Sequence, residues 1–169
     1  MVQNNQNWNR LLDIIYNEPN TAKTVRTLAK ESKLAVTTTK RYLDQLKKQQ
    51  ILNKENTLIN NNYTKFHKTF HLINLLHKSN LLNHLTEKIN PENIILFGSV
   101  RKGEYTKDSD IDLFIETTSK TKPNIKIFEK KLKKRIDLFI EPRLSNLPKP
   151  LQNNIINGIK LQGYLNYTK

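Results

Sequence analysis

Apolar positions in the first third of the chain recur at helical spacing. Trp8, Leu11, Leu12, Ile14 and Ile15 mark a first helix, and Glu18-Pro19-Asn20 then turns the chain. A second helix is expected over about residues 21–32, with Val25, Leu28 and Ala29 inward. A third covers about residues 37–50, with Tyr42, Leu43 and Leu46 inward, and Lys33-Leu34-Ala35-Val36 is the turn between them. This is the spacing of a helix-turn-helix. Ile51-Leu52 and Leu58-Ile59 flank the polar Asn53-Lys54-Glu55-Asn56, the pattern of two short strands and a turn. Together these elements predict a winged helix-turn-helix domain over residues 1–65.

Residues 66–91 read as a helical linker. Phe66, Phe70, Ile73 and Leu76, then Leu81, Leu82 and Leu85, form an amphipathic stretch that is interrupted at Ser79-Asn80 and stops before Pro91. Beyond it the pattern changes to short, strongly apolar strands at residues 94–97, 111–115 and 136–140. Residues 124–134 carry Ile127, Phe128 and Leu132 at helical spacing, residues 151–159 repeat that kind of pattern, and a last apolar piece covers residues 163–165. The expected class is α+β, with residues 92–169 forming a second domain around a small mixed sheet flanked by helices.

Composition narrows the chemistry. The chain has no cysteine, so any metal must sit on oxygen or imidazole ligands. No apolar run reaches the roughly 18 residues of a membrane span, and the polar, Asn-rich N-terminus has no apolar signal-peptide core. A soluble, cytoplasmic protein is expected. The net charge of +14, from 29 Lys and Arg against 15 Asp and Glu, favours a polyanionic partner such as nucleic acid or a nucleotide. Thr37, Thr38, Thr39, Lys40 and Arg41 open the third helix and are candidate DNA contacts in a recognition helix. Dimerisation or partner binding is the alternative use of the same module. The basic run Lys130-Lys131-Leu132-Lys133-Lys134-Arg135 reads as a solvated helix face or a nucleic-acid contact.

The most informative segment is Phe97-Gly98-Ser99-Val100-Arg101-Lys102-Gly103-Glu104-Tyr105, followed by Asp108-Ser109-Asp110-Ile111-Asp112-Leu113-Phe114. A strand ends at Gly98, where a missing Cβ lets backbone approach a phosphate, and the Ser99 hydroxyl and amide can donate to it. Along the next strand Asp110 and Asp112 share a face while Ile111 and Leu113 turn to the core. Two carboxylates so close repel unless a cation neutralises them. Mg²⁺ suits them, because it takes a few carboxylates and completes its shell with water and phosphate oxygens. The hexapeptide Ile-Asp-Leu-Phe-Ile-Glu then occurs twice, at 111–116 and 136–141. Were the two strands neighbours, Asp137 would face the same cleft as Asp112, giving a third carboxylate for a site of two metal ions.

Gly98-Ser99, a spacer of ten residues, Asp110-Ile111-Asp112 and the later Asp137 resemble the DNA polymerase β-like nucleotidyltransferase superfamily. Gly-Ser-Val-Arg-Lys-Gly-Glu followed by Asp-Ser-Asp-Ile-Asp-Leu is similar, more narrowly, to the minimal nucleotidyltransferases of prokaryotes, and the resemblance covers roughly residues 92–167. It implies that Gly98 and Ser99 bind the β and γ phosphates of a triphosphate, that Asp110 and Asp112 bind Mg²⁺, with Mn²⁺ as an alternative, and that Asp137 is the third ligand and the base. Many relatives have Ala-Arg before the second glycine. In this chain Arg101-Lys102 stands there, so Lys102 takes the place of the basic phosphate contact, as a point charge without bidentate geometry. The implied activity is transfer of a nucleoside monophosphate from ATP or another triphosphate to a hydroxyl. Relatives of this type act as antitoxins that modify a HEPN-domain toxin, which makes a toxin protein the expected partner. An RNA 3′ end is the second acceptor class, and a DNA-binding regulator that binds nucleotide or partner without turnover is the competing reading. The apolar faces of the linking helices suit a dimer.

Overall fold

The structure is a computed structural model that describes residues 6–164. Residues 1–5 and 165–169, which include the ends of the two expected domains and Leu165 of the last apolar piece, lie outside the described residues. The chain divides into two compact units. One runs to Lys68 and takes in Tyr105–Asp108, and the other comprises Thr69–Glu104 and the chain from Ser109 onward.

In the first unit α1 (Gln6–Asn17) buries Leu11, Leu12, Ile15 and Tyr16. The second helix, α2 (Val25–Ser32), starts later than its apolar pattern suggests. Thr24 holds extended backbone and its Oγ1 accepts the Thr27 N–H at 3.1 Å, an N-cap that sets the boundary. Left-handed backbone at Lys33 (φ 56°) ends α2 by directing its N–H to the carbonyls of Ala29 and Lys30. The third helix, α3 (Val36–Lys48), turns Thr39, Tyr42, Leu43 and Leu46 inward, and Trp8 meets Tyr42 edge-on at 5.0 Å.

After α3 the two expected strands reduce to one isolated antiparallel bridge, Leu52 with Leu58. The Asn53 side chain accounts for this. Its Oδ1 accepts the N–H groups of Glu55 and Thr57 at 3.1 and 2.9 Å, a local turn that competes with extending the ladder.

The helix α4 (Asn62–Ser79) contributes its residues up to Lys68 to this unit. Lys68 is buried, which is costly for an ammonium unless it is satisfied. Its Nζ donates to Tyr105 O at 2.7 Å and lies 4.5 Å from the centre of the Tyr105 ring, while the Tyr105 hydroxyl donates to Lys68 O at 3.2 Å. Lys107 N–H donates to Asn17 O at 2.8 Å. Part of the spacer between Gly98-Ser99 and Asp110 is therefore built into the first unit.

The second unit holds most of the stretch expected as a linker, namely α4 from Thr69 and α5 (Leu81–Ile89), which buries Leu81, Leu82, Leu85 and Ile89. Its sheet comprises β1 (Asn93–Phe97), β2 (Ile111–Glu116), β3 (Ile136–Glu141) and β4 (Ile159–Gly163) in the order β3-β2-β1-β4. β2 and β3 are parallel, and β1 is antiparallel to both β2 and β4, so the sheet is small and mixed as its patterning suggests. β4 differs from expectation. The helix before it, α8 (Lys149–Ile156), stops early, Gly158 N–H closes a turn onto Ile155 O at 2.8 Å, and Ile159 opens a strand.

Alternation along the strands gives the sheet two unlike faces. One carries Ile94, Leu96, Ile111, Leu113 and Ile115, all essentially inaccessible to solvent. The other carries Ile95, Phe97 and Phe114, which pack with Ile155 of α8, with Phe139, Leu144, Leu147 and Leu151 around them. Phe97 and Phe139 meet at 5.3 Å. Burying each such side chain contributes about 1.5–3 kcal/mol, and this apolar floor lies next to the carboxylates. A short helix, α6 (Gly98–Arg101), follows β1, and α7 (Lys126–Leu132) connects β2 to β3. Among the described residues no helix is long and apolar enough to cross a membrane.

Candidate active site

The repeated hexapeptides pair with one another, each residue opposite its own twin: Ile111 with Ile136, Asp112 with Asp137, and so on to Glu116 with Glu141. Neighbouring strands lie about 4.8 Å apart, so Asp112 and Asp137 stand side by side on the face that also bears Phe114 and Phe139. On the other side of Asp112 the ladder sets Phe97, and Gly98 follows it.

That neighbourhood shows in Asp112. Its carboxyl is half-buried and held above the usual carboxylate range, first by desolvation and then by repulsion from Asp137 and Asp110. Asp110 precedes the strand. Arg135 Nε lies 3.9 Å from Asp110 Oδ1, and its Nη2 lies 3.9 Å from Asp137 Oδ1. The Arg135 side chain is 77% exposed, so these long, screened contacts neutralise the cluster only weakly. From sequence alone Arg135 falls in the basic helix run. Extending the match between the hexapeptides back by one residue sets Arg135 opposite Asp110, and that is the signal that could have found it.

Gly98 adopts φ +69°, and a Cβ built there overlaps Oδ2 of Asp112 and comes within 2.8 Å of its Cγ. The missing side chain thus makes room for the carboxylate itself, a reason beyond approach to a phosphate. Ser99, next in the turn, is part-buried, and its carbonyl accepts Glu104 N–H at 3.0 Å. Thr69, buried in α4, donates its hydroxyl to Val100 O at 2.9 Å and lies 3.3 Å from Arg101 O, holding the far end of α6. Nothing in the local sequence around Thr69 signals that role. Lys102 is exposed at the end of α6.

The remaining candidates lie elsewhere. Asp108 belongs to the first unit, as do Thr37, Thr38, Thr39, Lys40 and Arg41. Of these, Thr37, Lys40 and Arg41 are exposed and Thr38 is part-buried. Thr39 is fully buried, and its hydroxyl donates to Ala35 O at 3.1 Å. It falls three and four residues before Tyr42 and Leu43 on the inward stripe, which removes it from the candidate DNA surface.

Among the described residues no three His, Asp or Glu side chains converge closely enough to hold an ion by themselves. Mg²⁺ needs no such cage, since it is commonly bound by one or two carboxylates and substrate phosphates. The donor set fits it: hard oxygens only, with mutual repulsion that raises the proton affinity of Asp112 and that a cation would relieve.

Two expectations follow from this geometry. Gly98→Ala, which forces its Cβ against Asp112 and strains a left-handed backbone, lowers stability by about 2 kcal/mol in urea unfolding; an unchanged midpoint would contradict the close packing of Gly98 on Asp112. Asp112→Asn raises the thermal midpoint at neutral pH. The folded-state pKa of Asp112 lies above its ordinary value, so ionising it penalises the native state as pH rises through that value, and the penalty is absent below the ordinary range near ~4. The gain from the substitution therefore shrinks as pH falls, and a gain independent of pH would refute desolvation and carboxylate repulsion as its origin.

Comparison with known proteins bears on the second unit and on the Tyr105–Asp108 segment that belongs to the first. No curated protein and no solved structure matches the chain. Residues 78–160 match a protein-family model, a span that runs from the end of α4 into β4 and contains Gly98, Ser99, Asp110, Asp112 and Asp137. The model is that of a nucleotidyltransferase domain, so residues 78–160 are similar to that family.

Proposed function

We propose that the second unit is a Mg²⁺-dependent nucleotidyltransferase that moves a nucleoside monophosphate from ATP or another triphosphate to a hydroxyl acceptor. The observation that carries this reading is the carboxylate of Asp112, seated against Gly98 and repelled by Asp137 and Asp110, within a segment that matches a nucleotidyltransferase domain. Gly98 and Ser99 hold the β and γ phosphates through amide and hydroxyl donors, and Lys102 adds a point charge. Asp110, Asp112 and Asp137 hold the metal, which when bound stabilises and aligns the attacking and leaving oxygens. Asp137 takes the acceptor proton. The acceptor oxygen bonds to the α-phosphorus as the bond from that phosphorus to the bridging oxygen breaks, and pyrophosphate leaves with the electron pair. Positioning and electrostatic stabilisation supply the rate.

The acceptor is a partner protein, of which a HEPN-type toxin is the kind the resemblance suggests, or an RNA 3′ end. A cytoplasmic location suits either. Incubating the protein with α-labelled triphosphates, Mg²⁺ and cell extract labels a protein or RNA, and Asp110→Asn lowers that labelling by about 100-fold or more. Failure of every triphosphate to label either class of acceptor would overturn the reading.

For the first unit we infer a winged-helix module that binds DNA. Its support is the α2–α3 pair joined by a left-handed turn at Lys33, with Thr37, Lys40 and Arg41 exposed at the start of α3. Lys40→Ala with Arg41→Ala weakens binding to the gene's own upstream DNA by about tenfold in a gel-shift titration. Unaltered affinity would count against this surface, and a module that only pairs with protein would then stand.

A further inference from the structure

β3 is an edge strand, with β2 on one side and no strand on the other among the described residues. Two hydrogen bonds set the phase of its ladder: Ile111 N–H donates to Arg135 O at 2.9 Å, and Thr117 N–H donates to Glu141 O at 3.0 Å. In a parallel pair the residues that bond the neighbour alternate. Asp137 and Phe139 thus turn their backbone groups to β2, while Ile136, Leu138 and Ile140 turn theirs to the free side. Ile136 N–H is already taken by Glu129 Oε1 at 3.0 Å. Among the described residues no backbone bond from outside the sheet reaches Leu138 or Ile140.

A groove of about 630 Å³ runs along this edge, between β3 and the loop of residues 119–123. Five consecutive residues of β3, 136–140, line it. Side chains alternate between faces, so a cavity that touches every residue of a strand lies alongside its backbone edge. Its volume is that of a ligand site. Lys120 and Lys122 stand on the loop wall, and Asp137 is among the lining residues of β3. A second copy of the chain would bring the same lysines against themselves, whereas an acidic segment would be drawn in. For RNA the groove offers little to stack on, since Phe139, its one aromatic lining residue, is engaged with Phe97.

We propose that the free edge of β3 takes an extended acidic segment of a partner protein as an added antiparallel strand, and that this segment presents the accepting hydroxyl opposite Asp137. The second part rests on the nucleotidyl-transfer reading above. In such a pairing Leu138 and Ile140 exchange hydrogen bonds with the guest. The guest residue opposite Asp137 then falls in a non-hydrogen-bonded pair, where facing side chains come closest. A tyrosine, serine or threonine there has its hydroxyl beside the proposed base. Backbone pairing gives affinity, and the alternate pockets select side chains.

The probe is a short synthetic peptide of alternating valines with a central tyrosine and glutamates at both ends, titrated onto the full chain by fluorescence anisotropy. It is expected to bind at least about tenfold tighter than the same peptide with terminal lysines, and than one N-methylated at the amides that face β3. Lys120→Glu with Lys122→Glu, in an exposed loop, weakens it by a similar factor, and binding protects the Leu138 and Ile140 amides from hydrogen exchange. Equal affinity for the N-methylated peptide overturns strand addition. Tighter binding of a single-stranded RNA that displaces the peptide overturns the choice of a protein guest. With α-labelled ATP and Mg²⁺ present, label on the tyrosine that disappears in Asp137→Asn, while the peptide still binds, supports both parts. Binding without label across the triphosphates overturns the transfer reading alone, and label on RNA without peptide binding overturns the docking alone.

Discussion

Repulsion between carboxylates on adjacent parallel strands is the constraint around which the second unit is arranged. Asp112 and Asp137 are held side by side because the strands that carry them are identical and pair in register. No local interaction favours that proximity. The energy comes from the apolar residues of the same strands: Ile111, Leu113, Phe114 and Ile115 are removed from water entirely, and their burial far outweighs the cost of one part-desolvated acid. Gly98 and the turn held by Thr69 then shape the space around Asp112. The strain collects at one end of the sheet, where a proton or a ligand of opposite charge relieves it.

The first unit answers a different problem. A buried ammonium at Lys68 is stabilised by the carbonyl and ring of Tyr105, a residue that arrives from the spacer preceding Asp110. That spacer therefore cannot be treated as free loop. Its length and composition are set partly by what Tyr105 and Lys107 do for the helices of the first unit, and this accounts for an aromatic residue within a mostly polar spacer.

Much of this was legible without coordinates. The helices of the first unit follow from apolar residues three and four apart, and β1, β2 and β3 from short, strongly apolar runs. The duplicated hexapeptide pointed to the neighbouring strands and to the proximity of Asp112 and Asp137. What escaped has physical causes. Thr24 delayed α2 because capping is a side-chain choice that periodicity does not encode. Asn53 spent its hydrogen bonds on a tight turn, so the expected hairpin became a single bridge. β4 hid because Ile159 and Leu161 alternate with Lys160 and Gln162 over too short a stretch directly after a helix. Thr39 seemed available to DNA until its place on the inward stripe of α3 was apparent. Arg135 and Thr69 take their positions from tertiary pairing, which local composition does not announce.

The self-pairing of Ile-Asp-Leu-Phe-Ile-Glu has a colloidal side as well. A segment that aligns with its own twin, residue against identical residue, has the complementarity on which fibrillar stacking relies, and one of its two copies sits at an unpaired edge. The acids at its second and last positions act as gatekeepers, because stacked copies would align like charges. The same carboxylates that repel one another beside Gly98 thus also disfavour the stacking of this edge on copies of itself.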